Sequence, residues 1–322
     1  MVVLDCDAGF DFWTSGHLSQ PMASSVSISQ LGPGRRMINQ LVRLVPRRFR
    51  TDIPVVPVVR LAGVIGVVTP LRPGLLLSNV ARTLERAFAM PRACAVALAI
   101  NSPGGSATQS HLIFQRIRQL ADDKKIPVLA FIEDVGASGG YMLACAADEI
   151  ICDHFSIVGS IGVVGGTFGF TKLMEKIGVE RRIYTAGDRK VMLDPFLPEK
   201  PEDVKRIKLV QQDIHAHFIE LVKTRRAGKL HGADKNLFSG EFWTATKAIE
   251  LGLVDSIGDL RSSLRERFGE KVHMPLISAE RSLFGRRLSG VSLPDVVLGR
   301  PGFADELISA IEVRALWGRF GL

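Results

Sequence analysis

The sequence predicts an α/β protein with a mostly parallel sheet and flanking helices, and three observations predict it. Short continuous apolar runs, Ala95 to Ile100 above all, fit strands buried on both faces. These runs alternate with segments of helical period, as βαβ units do. The composition of the 322 residues, 46% apolar and 7% aromatic with a net charge of +8, suits a chain that buries a large core. Disordered, collagen-like and small disulfide-stapled classes are thereby excluded.

Residues 1–34 lack periodicity and are rich in Ser, Gly and single aromatics, so a poorly ordered leader is expected there. Asp5, Asp7 and Asp11 stand where a secretory signal would carry Lys or Arg, and no signal peptide is expected. The longest apolar candidate for a membrane span, Pro54 to Val68, is broken by Pro57 and Arg60. Residues 35–50 hold six arginines with Ile38, Leu41 and Val45 at helical spacing. Such a basic amphipathic segment either rests on anionic lipid, at about 1 kcal/mol per basic residue, or packs on the body. A cytoplasmic location is expected, with this segment as a peripheral contact to the inner face of the membrane. The main domain is expected over 51–280 and a helical extension over 281–322, where Ala304, Ile308, Ile311 and Leu316 could meet another subunit or the chain's own body.

Within the main domain, Val55 to Leu61 and Val64 to Thr69 read as strands, and Asn79 to Ala89 as a helix. After the Ala95 to Ile100 strand comes a helix with Ser106 and Gln109 at capping-box spacing and Ile113, Ile117 and Leu120 on one face. Val128 to Ile132 is the next buried strand, Ser138 to Ala147 a small-residue helix, and Glu149 to Cys152 a further strand. A helix from Thr171 ends at Gly178, a strand covers Arg181 to Tyr184, and a long helix opens at Pro201 with Glu202 and Asp203 in its first turn. Ile207, Val210, Ile214, Phe218 and Leu221 form its apolar stripe. Thr244 to Val254 is a capped helix stopped by Gly252, and no internal repeat is present. Cys6, Cys94, Cys145 and Cys152 make no CxxC pair; they are expected to be reduced, the last three in apolar context.

Two loops carry the chemistry: Asn101-Ser102-Pro103-Gly104-Gly105 and Asp134-Val135-Gly136-Ala137-Ser138-Gly139-Gly140. Each leaves a buried strand and enters a helix, so both open on the sheet edge where α/β ligand sites form. Glycine lets backbone N–H groups approach a ligand closely. The N–H groups of Gly139 and Gly105 can converge as an oxyanion hole beside the Ser138 hydroxyl. On spacing alone a phosphate cradle, a plain turn or an N-cap role for Ser138 stays open.

These loops, together with Gly159-Ser160-Ile161-Gly162-Val163, Ala186-Gly187-Asp188-Arg189-Lys190 and the run from Ala248 to Asp255, occur in the order seen in the signal peptide peptidase A family. The similarity covers about residues 55–270 and resembles the short, single-repeat form. It implies the caseinolytic protease/crotonase fold, a spiral of ββα units, and a serine-lysine dyad. By that resemblance Ser138 is the nucleophile, Lys190 the general base and Ser160 the hydroxyl that orients the lysine. Gly105 and Gly139 bind the oxyanion, and Ile161, Gly162 and Val163 form a strand that pairs with substrate. The implied activity is endopeptidase cleavage of extended peptides with small or apolar residues at the cut, by a ring-shaped homo-oligomer, an octamer by preference, in which Ser138 and Lys190 of one site can come from two subunits. Two departures stand out: Arg189 replaces an aromatic residue, and Asp194-Pro195-Phe196 replaces Ser- or Thr-Pro-Phe.

A lysine base must lose its proton near neutral pH, a shift of about three units from 10.4 or ~4 kcal/mol, which burial supplies. Val191, Met192 and Leu193 suit a dry surrounding for Lys190, whereas Asp188 would oppose the shift. A Ser-His-Asp arrangement would have to use His154, which lies before the Gly-Ser-Ile-Gly segment. No metal-ligand spacing exists and no cofactor is expected. Nucleic-acid binding has only the net charge in its favour. An inactive scaffold of the same fold and an acyl-CoA enzyme remain as readings of other classes.

Overall fold

The most continuous apolar runs of the chain form the middle of the sheet. The computed structural model describes residues 53–66, 74–187, 189–278 and 303–322, so the leader and the basic segment lie outside the described residues. The elements in the first half are β1 (Val58–Ala62), α1 (Leu77–Phe88), β2 (Val96–Ser102), α2 (Ala107–Lys124), β3 (Val128–Ala137), α3 (Gly139–Ala144), β4 (Glu149–Cys152) and β5 (Ile157–Gly159). The second half adds α4 (Thr171–Ile177), α5 (Pro201–Arg225), α6 (Asp234–Leu237), β6 (Phe242–Thr244), α7 (Ala245–Glu250), β7 (Ser256–Ile257), α8 (Leu260–Phe268) and α9 (Phe303–Gly318).

The sheet runs β1-β2-β3-β4-β7, all parallel; β5 pairs parallel with the far end of β3, and β6 pairs antiparallel with β5. Side-chain alternation divides the core. Leu98, Ile100, Ala130 and Ile132 pack with Leu84, Ile113, Ile117 and Leu143 from the helices, while Ala97, Ala99, Leu129 and Phe131 face the other way onto Leu264 of α8. The α/β expectation therefore holds, and β2 and β4 fall where the apolar runs are.

Several local expectations are corrected. β3 continues five residues past Ile132 because Asn101 stitches the register shift: its Nδ2 donates to Asp134 Oδ2 (2.5 Å) and its Oδ1 accepts from the Val135 N–H (3.3 Å). Only two isolated bridges at Ile65, to Leu75 and Gly105, mark the expected Val64 to Thr69 strand, whose last three residues lie outside the described residues. The capping box is half formed. Ser106 Oγ accepts from the Gln109 N–H (3.3 Å), but the Gln109 side chain accepts from the N–H of Leu77 (3.0 Å), tying α2 to α1.

Arg181 to Tyr184 is no strand: no strand among the described residues pairs with it, and Tyr184 is 91% exposed. In α5 only Phe218 and Val222 are buried; Val210 and Ile214 of the predicted stripe face solvent. Cys145 and Cys152 are free and buried, and burial pushes both thiols up to about 12, so neither is a thiolate at neutral pH. Cys94 departs from the expectation: it is disulfide-bonded, standing half-exposed at the rim of the core one residue before Ala95.

At the C-terminus, Phe320 packs on Val135 and Ala137 of β3 and meets Phe242 edge-on at 5.2 Å. This contact is made by residues other than the four singled out from the sequence. Ile311 is exposed, Leu316 half-buried, and the side chains of Ala304 and Ile308 lie outside the described residues. No helix among the described residues is long and apolar enough to cross a membrane.

Candidate active site

β2 and β3 end side by side, which brings the Gly104-Gly105 loop against the turn at Ser138. A β-carbon built on Gly104 would lie 2.8 Å from both the Gly139 nitrogen and Ser138 Cβ. Ser138 has φ +51° and ψ −121°, a conformation in which an L-residue is strained. The strain is held from both sides. The Ser138 N–H donates to the Gly159 carbonyl (2.7 Å), and the Ser138 carbonyl accepts from the Met142 N–H (3.0 Å). Although Ser138 occupies the N-cap position of α3, its side chain accepts no N–H of that helix. A plain capping serine would use its oxygen in that way. Ser138 is half-exposed while its neighbours Ala137, Gly139 and Gly140 are buried.

The glycines around it are required by contact. Gly139 approaches Ser110 so closely that a β-carbon would meet Oγ at 2.3 Å, and Gly140 would meet the Ser102 carbonyl at 2.4 Å. Ser102, fully buried, donates its hydroxyl to the Gly63 carbonyl (2.7 Å) and accepts from the Gly104 N–H (3.2 Å). The Gly139 N–H, at the first position of α3, has no acceptor within its helix. Gly105 is exposed with φ +140°, and its missing β-carbon would fall 2.1 Å from the Ile65 carbonyl. Gly105→Ala is therefore expected to displace the loop and to destabilise the chain by about 1–3 kcal/mol, the cost of overpacking. Urea unfolding checks this, and a loss under about 0.5 kcal/mol would contradict it.

Ser160 is 5% exposed and also at φ +51°, with its N–H donating to the Glu241 carbonyl (2.6 Å). Ile161 is buried, and its carbonyl meets His215 Nε2 at 3.0 Å. Gly162 lies against Gly240, and Val163 is half-buried. The expected strand through Ile161, Gly162 and Val163 is absent: β5 stops at Gly159, because the positive φ of Gly159 and Ser160 turns the chain. His154 is exposed beside Phe155.

Lys190 does not have the dry surrounding that the sequence suggested. Its side chain is exposed, and its ammonium has no hydrogen bond or ion pair among the described residues. The physical reason is the length of chain that carries it. From Gly162 to Lys200 no described residue is buried, and α4 buries none of its own. Asp188 lies outside the described residues. Sequence reasoning missed three residues that hold the site: Asn101, Ser102 and His215. The first two begin the Asn-Ser-Pro-Gly-Gly segment, so their place was visible; His215, on α5, carried no local signal.

Comparison with known proteins bears on this arrangement. Residues 120–270 match the model of peptidase family S49. A Brucella abortus protein named Na(+)/H(+) antiporter NhaA is 54% identical over 88% of this chain and 39% of its own length. The chloroplastic serine protease SPPA of Arabidopsis thaliana is 32% identical over 64% of this chain and 30% of its own. A probable protease SohB of Buchnera aphidicola is 35% identical over 55% and 50%. This chain thus spans half or less of each of these relatives. Among solved structures, a membrane-bound stomatin-specific protease aligns with 71% of this chain and 99% of its own, at 15% identity and a TM-score of 0.43. The family match runs from the end of α2 to the loop after α8 and takes in the Ser138 turn, so this part of the chain is similar to peptidase family S49.

Proposed function

We propose that the chain is a serine endopeptidase that cleaves extended peptides with small or apolar residues at the cut, remnants of signal peptides and misfolded membrane-associated chains among them. The observation that carries the reading is Ser138 itself, a serine in a strained turn, at a cap position it does not use, beside close-packed glycine backbone. Ser138 Oγ attacks the peptide carbonyl, and Lys190 takes the hydroxyl proton and returns it to the leaving amine. Gly105 and Gly139 donate their N–H groups to the oxyanion, each worth about 3 kcal/mol. Ser160 orients the lysine, and the chain from Ile161 to Val163 lies along the substrate.

An amine accepts a proton only when it is uncharged, so water must be kept from Lys190. A single copy leaves it in solvent. The reading therefore includes a second copy that covers the lysine-bearing arm, in a closed homo-oligomer with eight copies preferred. The exposed Phe168, Leu173, Ile177 and Val179 supply apolar surface for that contact. The residues at 35–50 would add a peripheral hold on anionic membrane.

The test compares hydrolysis of an unstructured apolar peptide by wild type, Ser138→Ala and Lys190→Met. Both variants are expected to lose activity by about 10⁴-fold or more. A fluorophosphonate probe, located by mass spectrometry, is expected on Ser138 of the wild type. Mixing the two variants before assembly restores cleavage where serine and lysine come from different copies. Equal rates in all three proteins would leave only the inactive scaffold.

A further inference from the structure

Lys190 lies on a length of chain without a core, yet a set of contacts ties that length together. Arg181 and Asp194 stand on either side of the lysine and pair through Nη1 and Oδ1. The same Asp194 oxygen accepts from the Phe196 N–H (2.9 Å). The Arg181 guanidinium lies 4.6 Å above the Phe196 ring centroid, and Phe196 stacks on Phe170 at 5.3 Å. The Phe170 N–H closes the set by donating to the Pro195 carbonyl (2.7 Å). An exposed ion pair contributes little on its own. Here the Asp194 side chain is only 7% exposed, so its charge is both screened from water and doubly bonded. The pair thus ties together the two ends of the segment from 181 to 194, which carries Lys190.

We propose that Arg181 and Asp194 are positioning residues that hold the lysine loop in the shape from which Lys190 reaches its serine. This rests on the reading of Lys190 as the base. It also accounts for a departure noted in the sequence: a Ser or Thr at 194 could cap the Phe196 N–H but could not pair with Arg181. The pairing gives the exposed Arg181 to Tyr184 segment its role, which is to anchor the loop.

The experiment measures peptide cleavage, thermal unfolding and assembly mass for four proteins beside the wild type. They are Asp194→Ala, the swap Arg181→Asp/Asp194→Arg, Lys190→Met, and Lys190→Met/Asp194→Ala. Asp194→Ala is expected to lower kcat by about 10²-fold, the effect of misplacing a catalytic group by about 1 Å, with KM within twofold and with unfolding temperature and mass unchanged. The swap is expected to recover at least tenfold of that loss. In the Lys190→Met background, Asp194→Ala is expected to change nothing further, because the group it positions is gone. A kcat within twofold of wild type, a further loss in the Lys190→Met background, or dissociation of the assembly would each overturn the proposal. A wild type that cleaves no peptide and takes no fluorophosphonate would instead overturn the underlying reading of the site.

Discussion

Asp255→Ala is expected to destabilise the folded chain by about 3–5 kcal/mol, the effect of stranding a buried charge. Arg226 is 3% exposed, and its guanidinium bonds both Asp255 oxygens, Nη1 to Oδ2 at 2.7 Å and Nη2 to Oδ1 at 3.1 Å. Nε and Nη2 also donate to the Gly252 carbonyl. Lys229 Nζ and the Ile150 N–H complete the carboxylate's shell at 2.8 Å each. The cluster joins the C-terminus of α5 to the start of β4 and to the turn after α7. Beside it, Tyr141 of α3 donates to the Leu253 carbonyl (2.8 Å), so the helix that follows Ser138 leans on the same turn. Urea unfolding measures the effect, and a loss under about 1 kcal/mol would show that the arginine finds another partner or water. The paired variant Arg226→Met/Asp255→Leu is expected to recover most of the loss, since no unpaired charge remains.

The same site predicts a pH dependence. Burial works to raise the Asp255 carboxyl, but hydrogen bonds from Arg226, Lys229 and the Ile150 N–H outweigh it and hold the group below its ordinary value. A depressed folded value means that the contribution is complete above the unfolded value of about 3.9 and is lost as the pH falls through the folded value. Wild type is expected to lose stability on acidification below about pH 4. The Asp255→Asn variant should show a flatter profile over that range.

What was legible in the sequence was periodic and local. β4 falls on Glu149 to Cys152 because its apolar run is bounded cleanly, and α4 stops at Gly178, which takes φ +64° as a C-cap glycine does. The continuation of β3 was hidden because Glu133 and Asp134 interrupt the apolar pattern, and what keeps it paired comes from segments distant in sequence, the side chain of Asn101 and strand β5. Ile183 and Tyr184 suit a strand, yet a strand needs a neighbour, and topology gives this segment none. The apolar stripe on α5 is real in its period, but Val210 and Ile214 stay exposed among the described residues, and only its end at Phe218 reaches the core. For the candidate site, the order of the motifs singled out two glycine loops, and the fold brings them together. Neither the backbone strain at Ser138 nor the exposure of Lys190 could be read, since both depend on how distant segments meet.

With Ser138 as the proposed nucleophile, Ser138→Gly is expected to abolish cleavage while leaving the chain as stable as wild type or more so by up to about 2 kcal/mol. The argument runs through the backbone. At φ +51° and ψ −121° an L-residue carries about 1–3 kcal/mol of strain that glycine escapes. Glycine gives back about 0.5–1 kcal/mol through the greater freedom of the unfolded chain, and no cap bond is lost because Ser138 makes none. Ser138→Ala keeps the strain and removes only a hydroxyl, so it should be near neutral in stability and equally inactive. A serine retained as an N-cap gives the reverse order, with alanine about 1 kcal/mol less stable than serine and glycine only a few tenths less. Chemical denaturation of the three proteins separates the two cases. Glycine as the most stable residue at 138, combined with loss of cleavage, marks a position where folding stability has been given up for a hydroxyl aimed at substrate; serine as the most stable would return Ser138 to the role of a cap.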